Sequence, residues 1–370
     1  MPTYFIKLTP CDTFFFGRSQ YSELGNRQNY FTTSSMFPQQ TTLLGMLRFQ
    51  LLKQRGCLYP SGQGIENAEE AQRLTGPESF PSNSYGIINQ ISPLFLVQEQ
   101  EVFYLRNHAV AVNQSGGNEP TYHPSAILSS SEGTAQNLLS GNDTSPALQP
   151  AFKFKDFEAK YGWQEKLVSQ NQEEREIKDI FFESIRAHNH KQLRGTSLEQ
   201  GFFKERKYRL HEEYAFGCYV DFAEEKPLKN DFVRLGGRKS WFKMELTNIG
   251  SMPNFQSGWA GVKKHSQRYL LLSDTLLQPD YASHCIAVAG TSVPFRNLKT
   301  YTDTKTNYYK MTEQVQQNTP YLTKYRFLLE RGSVLWLKDD SKMEDLIDQT
   351  QHRFFSKIGY NHFISIAPLK

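Results

Sequence analysis

The chain has 370 residues, of which 38% are hydrophobic and 22% charged, and this composition excludes a disordered protein. Its net charge of +4 permits a polyanionic partner without demanding one. The four cysteines lie too far apart in sequence to form a metal or redox motif. The start of the chain lacks the charged segment of a signal peptide, and no apolar run reaches the length of a membrane span. We therefore expect a soluble, cytoplasmic protein without a cofactor.

The first elements along the chain are a strand, a loop and a helix. Residues 3–9 alternate enough to form a strand, and residues 19–36 have the polar composition of a loop. Thr41 or Thr42 can cap the helix that follows, whose leucines share one face. Gly56 is a plausible end for that helix.

Two strand-like segments follow, at 85–98 and 102–112. Strand, helix and two strands in succession are typical of a ferredoxin-like module. Residues 113–150 are rich in Ser, Gly, Asn and Pro and show no periodicity, which indicates a long insertion. We expect a first module over 1–150 that carries this polar insertion.

The remaining residues, 151–370, predict a second module with basic loops. A helix is expected around Gln172–Ile185, and the tail repeats strand, helix, strand with its helix at Lys342–Phe355. The prediction is an α+β fold of two ferredoxin-like (RRM-like) modules with inserted loops and a candidate β-hairpin thumb.

The opening of the chain contains the first candidate for binding a phosphate backbone. A strand ends in Phe16-Gly17-Arg18, and the next helix carries Arg48 at the edge of its apolar face. Arginines at the ends of elements suit a phosphate backbone better than a catalytic pocket. Arg48 also fits a helix-surface arginine whose stem is packed against the protein.

The strongest charge cluster runs from Arg186 to Arg209, with seven Lys and Arg residues against two acids. Glycines and aromatic residues are interleaved with the cations, as backbone tracking with base stacking requires. The alternative is a solvated, charged β-hairpin. The candidate RNA contacts in this segment are Arg186, His188, Lys191, Arg194, Lys204, Arg206 and Tyr208.

A further candidate is the turn Gly236-Gly237-Arg238-Lys239. Paired glycines allow a backbone to approach a phosphate closely, and the two cations supply charge. A tight turn between strands explains the same spacing equally well.

Enzyme signatures are weak in this sequence. His188 and His190 could act as acid and base in RNA cleavage, because imidazole titrates near neutrality. A histidine in a basic loop is more often only a polar contact. We assign no catalytic residue and no metal site, and keep a metal-independent endoribonuclease as the alternative.

Several motifs together resemble a known family. Phe16-Gly17-Arg18, followed by Phe37-Pro38 and the helix Thr41–Arg48, resembles the opening of the third subunit of the Cmr (type III-B) CRISPR effector, in the RAMP superfamily. Later motifs keep the order of that family: Gly201-Phe202-Phe203, Leu235–Arg238, Arg331–Trp336 and Ile358–Asn361. Where the family often has a Gly-Gly-Trp turn, the nearest segment here is Ala289–Ser292, and 113–150 has no counterpart.

The resemblance implies two ferredoxin-like modules and a non-catalytic subunit of an antiviral complex. Such a subunit would bind the 5′ tag of the CRISPR RNA (crRNA) and bridge the large polymerase-like subunit to the adjacent backbone RAMP subunit, with target RNA contacted only indirectly. The alternatives are an RNA-processing endoribonuclease that uses His188 or His190, and the equivalent subunit of another type III system. The predicted RNA-binding set is Phe16, Gly17, Arg18, Thr41, Arg48, Arg186, His188, Lys191, Arg194, Lys204, Arg206, Tyr208, Gly236, Gly237, Arg238 and Lys239.

Overall fold

The computed structural model confirms a mixed α+β fold that is rich in strands and has mostly antiparallel sheets. It describes residues 2–17, 31–60, 64–76, 84–109, 136–138, 163–171, 173–191, 197–237, 240–253, 268–290, 292–295, 326–338, 341–347 and 354–366. The strands are β1 (Thr3–Pro10), β2 (Phe16–Gly17), β3 (Phe31–Ser35), β4 (Ile88–Ile91), β5 (Phe95–Gln98), β6 (Glu101–Ala109), β7 (Gln136–Leu138), β8 (Trp163–Ser169), β9 (Glu174–Glu176), β10 (Phe181–Lys191), β11 (Ser197–Leu210), β12 (Tyr214–Phe222), β13 (Asp231–Arg234), β14 (Trp241–Asn248), β15 (Arg268–Leu271), β16 (Cys285–Ala289), β17 (Ser292–Phe295), β18 (Arg326–Leu329), β19 (Val334–Leu337) and β20 (Phe363–Ser365). The helices are α1 (Gln40–Gln54), α2 (Ala68–Thr75), α3 (Ile177–Ile180) and α4 (Met343–Leu346), with a 3₁₀ turn at Tyr281–His284.

The chain forms two compact units whose stretches interleave in sequence. The first unit contains Met1–Glu99 and Lys178–Met252, and the second contains Gln100–Ile177, Pro253–Arg296 and Thr323–Lys370. This division differs from the predicted modules 1–150 and 151–370. The physical reason is long-range pairing, because β1 lies between β12 and β14 and draws both of them into the first unit.

The main sheet of the first unit has the strand order β13-β14-β1-β12-β5, and every neighbouring pair is antiparallel. In chain order, the four strands β14-β1-β12-β5 are the fourth, first, third and second. Ile6 and Leu8 of β1 are fully buried, as the alternating pattern of that strand requires. Helix α1 lies between β1 and β5 in the chain, and Gln40 at its start donates a hydrogen bond to the carbonyl of Ser92.

Helix α1 begins and ends close to its predicted limits, but its cap is not the predicted one. Gln39 is the N-cap residue and makes no capping bond with its side chain, so Thr41 and Thr42 lie inside the helix. The predicted threonine cap is therefore wrong. Gly56 follows the C-cap residue with φ +67, which confirms it as the stop.

Two other element predictions fail. The helix expected around Gln172–Ile185 is replaced by β9, the four-residue helix α3 and the start of β10. Residues of β10 pair with β11 from Phe181↔Leu210 onward, and this cross-strand pairing overrides the helix preference of the charged segment. The loop expected at 19–36 contains β3 at its end.

The second unit has a five-stranded sheet of order β20-β15-β19-β16-β7, in which β20-β15-β19-β16 are again the fourth, first, third and second strands of their group. Its apolar core includes Leu271, Leu335 and Met343. Strands β6, β8 and β9 form antiparallel pairs in the same unit. A Cβ placed on Gly332 would lie 2.9 Å from that of Leu105, so β6 approaches the turn before β19 closely. Among the described residues, no helix is long and apolar enough to cross a membrane.

The burial of the cysteines gives a direct test of this fold. We expect a maleimide at pH 8 to label Cys11, which is exposed, well before Cys218 and Cys285, which are buried. Burial also raises the pKa of the Cys218 thiol to about 12, which suppresses the reactive thiolate. Peptide mapping by mass spectrometry measures the order of labelling, and urea-unfolded protein is the control in which all four must react. Equal rates at Cys11 and Cys218 in the native chain would contradict the described packing.

Candidate nucleic-acid interface

A cluster of phenylalanine rings lies beneath the candidate interface in the first unit. The ring of Phe14 lies 4.8 Å from that of Phe16 and 5.5 Å from that of Phe216, measured between centroids. The cluster also contains Phe37, which precedes α1, and Phe242 of β14. Phe16 is only 2% exposed, so its ring belongs to the core and its backbone is the part that can face a ligand.

The segment Phe14–Gly17 connects this cluster to two other strands. The backbone N–H of Phe14 donates to the carbonyl of Tyr208 on β11, at 2.8 Å. The N–H of Phe16 donates to Oγ of Ser34 on β3, also at 2.8 Å. Because these bonds run from neighbouring backbone groups of one short segment, they hold the exposed Gly17 beside β3 and the base of the β11 strand.

The glycine turn lies against the same segment. The N–H of Gly237 donates to the carbonyl of Phe15 at 2.9 Å, and the N–H of Phe15 donates to Oγ of Ser240 at 2.9 Å. Gly236 has φ +82, and a Cβ there would lie 2.6 Å from the Phe15 oxygen. Gly236 therefore lies close to the backbone of Phe15, as a tight turn between strands allows, and the approach to a phosphate stays a prediction.

The basic segment forms a β-hairpin from β10 and β11. Its base is buried at Phe181 and Leu210, whereas Phe182 is 44% exposed and Ile185 53% exposed. The register places Phe182 opposite Arg209, so these two side chains share one face. The hairpin thus leaves the core at its base and exposes side chains of β10 to solvent, whereas Glu205 of β11 is buried.

The cations of the hairpin fall into two groups. Arg186 and Lys204 are exposed, whereas Arg206 forms an ion pair of 3.4 Å with Glu183. Tyr208 lies 6.0 Å from the Phe181 ring and is half-buried, so it packs at the base of the hairpin. Arg186 and Lys204 are therefore the predicted contacts here that are best placed for a solvent-side ligand.

Lys207 and Arg209 complete the charges of β11. Nζ of Lys207 lies 3.2 Å from the carboxylate of Glu205, which is itself buried. Arg209 is exposed and lies opposite Phe182. Arg209 was counted in the predicted charge cluster but not selected as a contact, and Phe182 was not singled out, although the two-residue alternation of the segment places both on one face.

Several predicted contacts lie outside the described residues. The backbone at positions 188–191 belongs to β10, but the side chains of this stretch are not described. The candidates affected are Arg18, Arg194, Arg238, Lys239 and the side chains of His188, His190 and Lys191.

Arg48 packs against an aromatic ring. Its guanidinium carbon lies 5.6 Å from the centroid of the Tyr85 ring, and its Nε is buried without a hydrogen-bond acceptor. Burial lowers the pKa of Arg48 from its usual value. These contacts match the packed-stem interpretation. Thr41 is half-buried in the first turn of the same helix.

The sequence analysis missed an exposed face on the hairpin formed by β13 and β14. Phe232 and Trp241 are 56% and 43% exposed, and the guanidinium carbon of Arg234 lies 4.7 Å from the centroid of the Trp241 ring. The register places Phe232 opposite Lys243 and Arg234 opposite Trp241, so all four side chains share one face. This aromatic–cation face adjoins the glycine turn, because that turn joins the two strands.

The described residues contain no group of His, Cys, Asp and Glu side chains that could hold a metal ion. The candidate interface in the first unit combines the backbone segment Phe14–Gly17, a glycine turn, exposed cations and exposed rings. In chemical terms it can hold phosphates by charge and bases by stacking.

Comparison with known proteins identifies the family. The model of the family CRISPR-associated protein (Cas_Cmr3) matches residues 6–368. The chain belongs to this family. The resemblance to the third subunit of the Cmr (type III-B) effector is thereby confirmed.

Solved structures similar to this Cmr3-family chain include components of two CRISPR complexes. A chain of the type III-B Cmr-beta complex bound to cognate target RNA, solved by cryo-EM, has 14% identity and a TM-score of 0.47, covering 100% of this chain and 99% of that one. A chain of the Csm3-Csm4 subcomplex of a type III-A interference complex has 11% identity and a TM-score of 0.34, covering 91% and 93%. No curated protein sequence matches significantly.

The glycine turn predicts a difference between two alanine substitutions. Gly236 and Gly250 both have positive φ, +82 and +83, but only at Gly236 would a Cβ collide with the backbone, since nothing lies within 4 Å at Gly250. We expect Gly250→Ala to lower the free energy of unfolding by about 1 kcal/mol and Gly236→Ala by about 2–4 kcal/mol. Urea unfolding followed by circular dichroism measures both. Equal losses would show that the turn is not held against Phe15.

Proposed function

We propose that this Cmr3-family chain is a non-catalytic subunit of a type III CRISPR complex that holds the 5′ tag of the crRNA in antiviral defence. In this proposal it bridges the large polymerase-like subunit to the adjacent backbone RAMP subunit, and it contacts target RNA only indirectly. The observation that carries the proposal is the convergence of the glycine turn, strand β3 and the base of the β10–β11 hairpin on the segment Phe14–Gly17. This segment and the glycine turn contain motifs that resemble the family, and the predicted RNA-binding set includes residues of both and of the hairpin.

The fold proposal of two ferredoxin-like modules has support in both units. In a ferredoxin-like sheet the four strands stand in the order fourth, first, third and second, all antiparallel, with a helix after the first and third strands. Strands β14-β1-β12-β5 and β20-β15-β19-β16 have this order and direction. Helix α1 follows β1, and α4 follows β19, whereas no helix is described between β12 and β14.

The charge distribution supports holding RNA by its backbone. Arg186, Lys204 and Arg209 are exposed on the hairpin, on a chain whose net charge is only +4. A protein that grips one RNA end needs a local group of cations, because each phosphate neutralised releases counterions near that phosphate. A strongly basic surface elsewhere would add non-specific binding instead.

The described groups of the site support a binding role in this proposal. These groups are backbone amides, arginines, lysines and aromatic rings, which bind RNA but do not move protons near neutral pH. The alternative, an endoribonuclease that uses His188 or His190, becomes an outcome of the test below.

The hairpin cations give the principal test. We expect the double variant Arg186→Gln, Arg209→Gln to bind tagged crRNA about ten-fold more weakly at 0.1 M salt, and to lower the slope of log affinity against log salt by about 1.4, because two phosphate contacts are lost. Filter binding of the full chain over a range of salt concentrations measures both quantities.

The matched control is the double variant Arg55→Gln, Arg73→Gln, which removes the same charge from arginines paired with Glu224. If this control weakens binding as much as the hairpin variant does, the hairpin is not the RNA contact.

Gel analysis of the same RNA tests whether the chain cleaves it. Site-specific cleavage without metal that is lost in His188→Ala or His190→Ala would overturn the non-catalytic role.

The aromatic–cation face predicts a contribution from base stacking. We expect Phe232→Ala to weaken binding of tagged crRNA by about 5- to 100-fold, since a stacked base is worth about 1–3 kcal/mol. This loss should persist at 0.5 M salt, where phosphate contacts are screened. Phe327→Ala is the control, because Phe327 is 60% exposed on β18 of the other unit. An affinity that Phe232→Ala leaves unchanged would remove this face from the RNA path.

A further inference from the structure

The described part of the second unit contains three buried arginines that the predicted RNA contacts do not include, and one of them, Arg331, lies beside Asp274. Arg106 on β6 is 2% exposed and Arg268 on β15 is 4% exposed. Burial, together with the positive charge of Arg106, lowers the pKa of Arg268 to about 9. Burial likewise lowers the pKa of Arg106. Guanidinium groups stay protonated at neutral pH, so two like charges are held near each other inside the protein.

The charge of Arg106 is weakly compensated. Its Nε is buried without a hydrogen-bond partner. Glu174 favours its charged form, but the carboxylate of Glu174 also lies 3.1 Å from Nζ of Lys166, which additionally pairs with Glu176. Lys166 lies opposite Arg106 in the β6–β8 register, so the acids of the neighbouring strand β9 also serve a second cation. Among the described residues, Glu174 is the acid that acts on Arg106, and Arg106 shares it with Lys166.

Trp336 places an indole N–H donor without an acceptor beside Arg268. It lies opposite Arg268 in the β15–β19 register, and the guanidinium carbon of Arg268 is 5.1 Å from the centroid of its ring. The indole is 6% exposed, yet its Nε1 has no hydrogen-bond acceptor. An indole N–H can only donate, as can a guanidinium. The Nε of Arg106 and the Nε1 of Trp336 are thus buried donors without acceptors, and an anion that accepted from them would also offset the positive charge of the arginines.

We propose that Arg106, Arg268 and Trp336 form a binding site for a phosphate group. Guanidiniums match phosphate oxygens in two-point geometry, and the indole N–H supplies a further donor to the same tetrahedral anion. The phosphate belongs either to an RNA backbone, a source that rests on the proposed function, or to free inorganic phosphate.

The first part of the test uses the unfolding of the full chain without phosphate. Arg106→Met keeps an apolar stem and removes the weakly compensated charge, so we expect its urea midpoint to rise above that of the native chain. The control is Arg331→Met. Arg331 is similarly buried, but its Nε lies 3.6 Å from a carboxylate oxygen of Asp274, and its removal should lower the midpoint. A midpoint that falls in both variants would overturn the site, because it would show that Arg106 is already compensated.

The second part adds inorganic phosphate, with sodium chloride at the same ionic strength as reference. Phosphate stabilises many proteins non-specifically, so the informative quantity is the difference between variants. We expect the native midpoint to rise by more than that of Arg106→Met or Trp336→Phe. Calorimetric titration should show phosphate affinity about ten- to hundred-fold weaker in Arg106→Met. Equal rises in all three chains would overturn the proposal.

The last arm separates the two sources of phosphate. If tagged crRNA abolishes the calorimetric signal of inorganic phosphate on the native chain, the site takes an RNA phosphate. If that signal persists with RNA bound, the site takes the free anion. The hairpin variant Arg186→Gln, Arg209→Gln should keep its affinity for inorganic phosphate while binding RNA more weakly, so failure of the proposed function is distinguishable from failure of this site.

Discussion

Burial of the phenylalanine rings around Phe216 is the interaction on which the candidate interface depends. Each ring removed from water contributes about 1.5–3 kcal/mol, and the edge and tilted contacts between rings add to that. Phe14 and Phe16 enter this cluster from alternate positions of one short segment. Once their rings are fixed, the intervening backbone has one orientation. Its N–H and C=O groups then bond β11, β3 and the glycine turn. The surface that faces RNA in the proposal is thus set by packing beneath it.

The local features of this fold were predictable from sequence, whereas its strand partners were not. Helix α1 and its stop at Gly56 follow from short-range periodicity and from the left-handed backbone of one glycine. The strand that lies between β1 and β5 is β12, which begins at Tyr214, far along the chain from both. Sequence spacing carries no information about a pairing partner that far away. The failed helix at Gln172–Ile185 has the same cause, since β11 supplies the ladder that makes β10 a strand.

Predictions for the candidate site are likewise limited for features that depend on packing. Glycines 236 and 237 were predicted to let the backbone approach a phosphate, whereas the backbone that Gly236 approaches in the structure is that of Phe15. Phe16 and Tyr208 were assigned to RNA, but both rings pack on neighbouring rings, and composition alone cannot separate a core ring from a stacking ring. Phe182 and Phe232 show the converse, because alternation along β10 and β13 would have placed each of them on the open face. The alternation of side chains along each strand therefore predicts which rings are exposed better than the total number of aromatic residues does.

The location of each cation matters more here than the net charge. Arg186 and Arg209 are exposed, so their charges cost little in the free chain and can act on a phosphate only within a Debye length of about 8–10 Å. Arg106 is buried, so its charge costs stability until an anion compensates it, and salt screens it much less. Exposed cations therefore favour fast and salt-sensitive capture, and buried ones favour slow release. A chain with both kinds can attract a polyanion with one set of arginines and retain a phosphate with the other, although its total charge is nearly balanced.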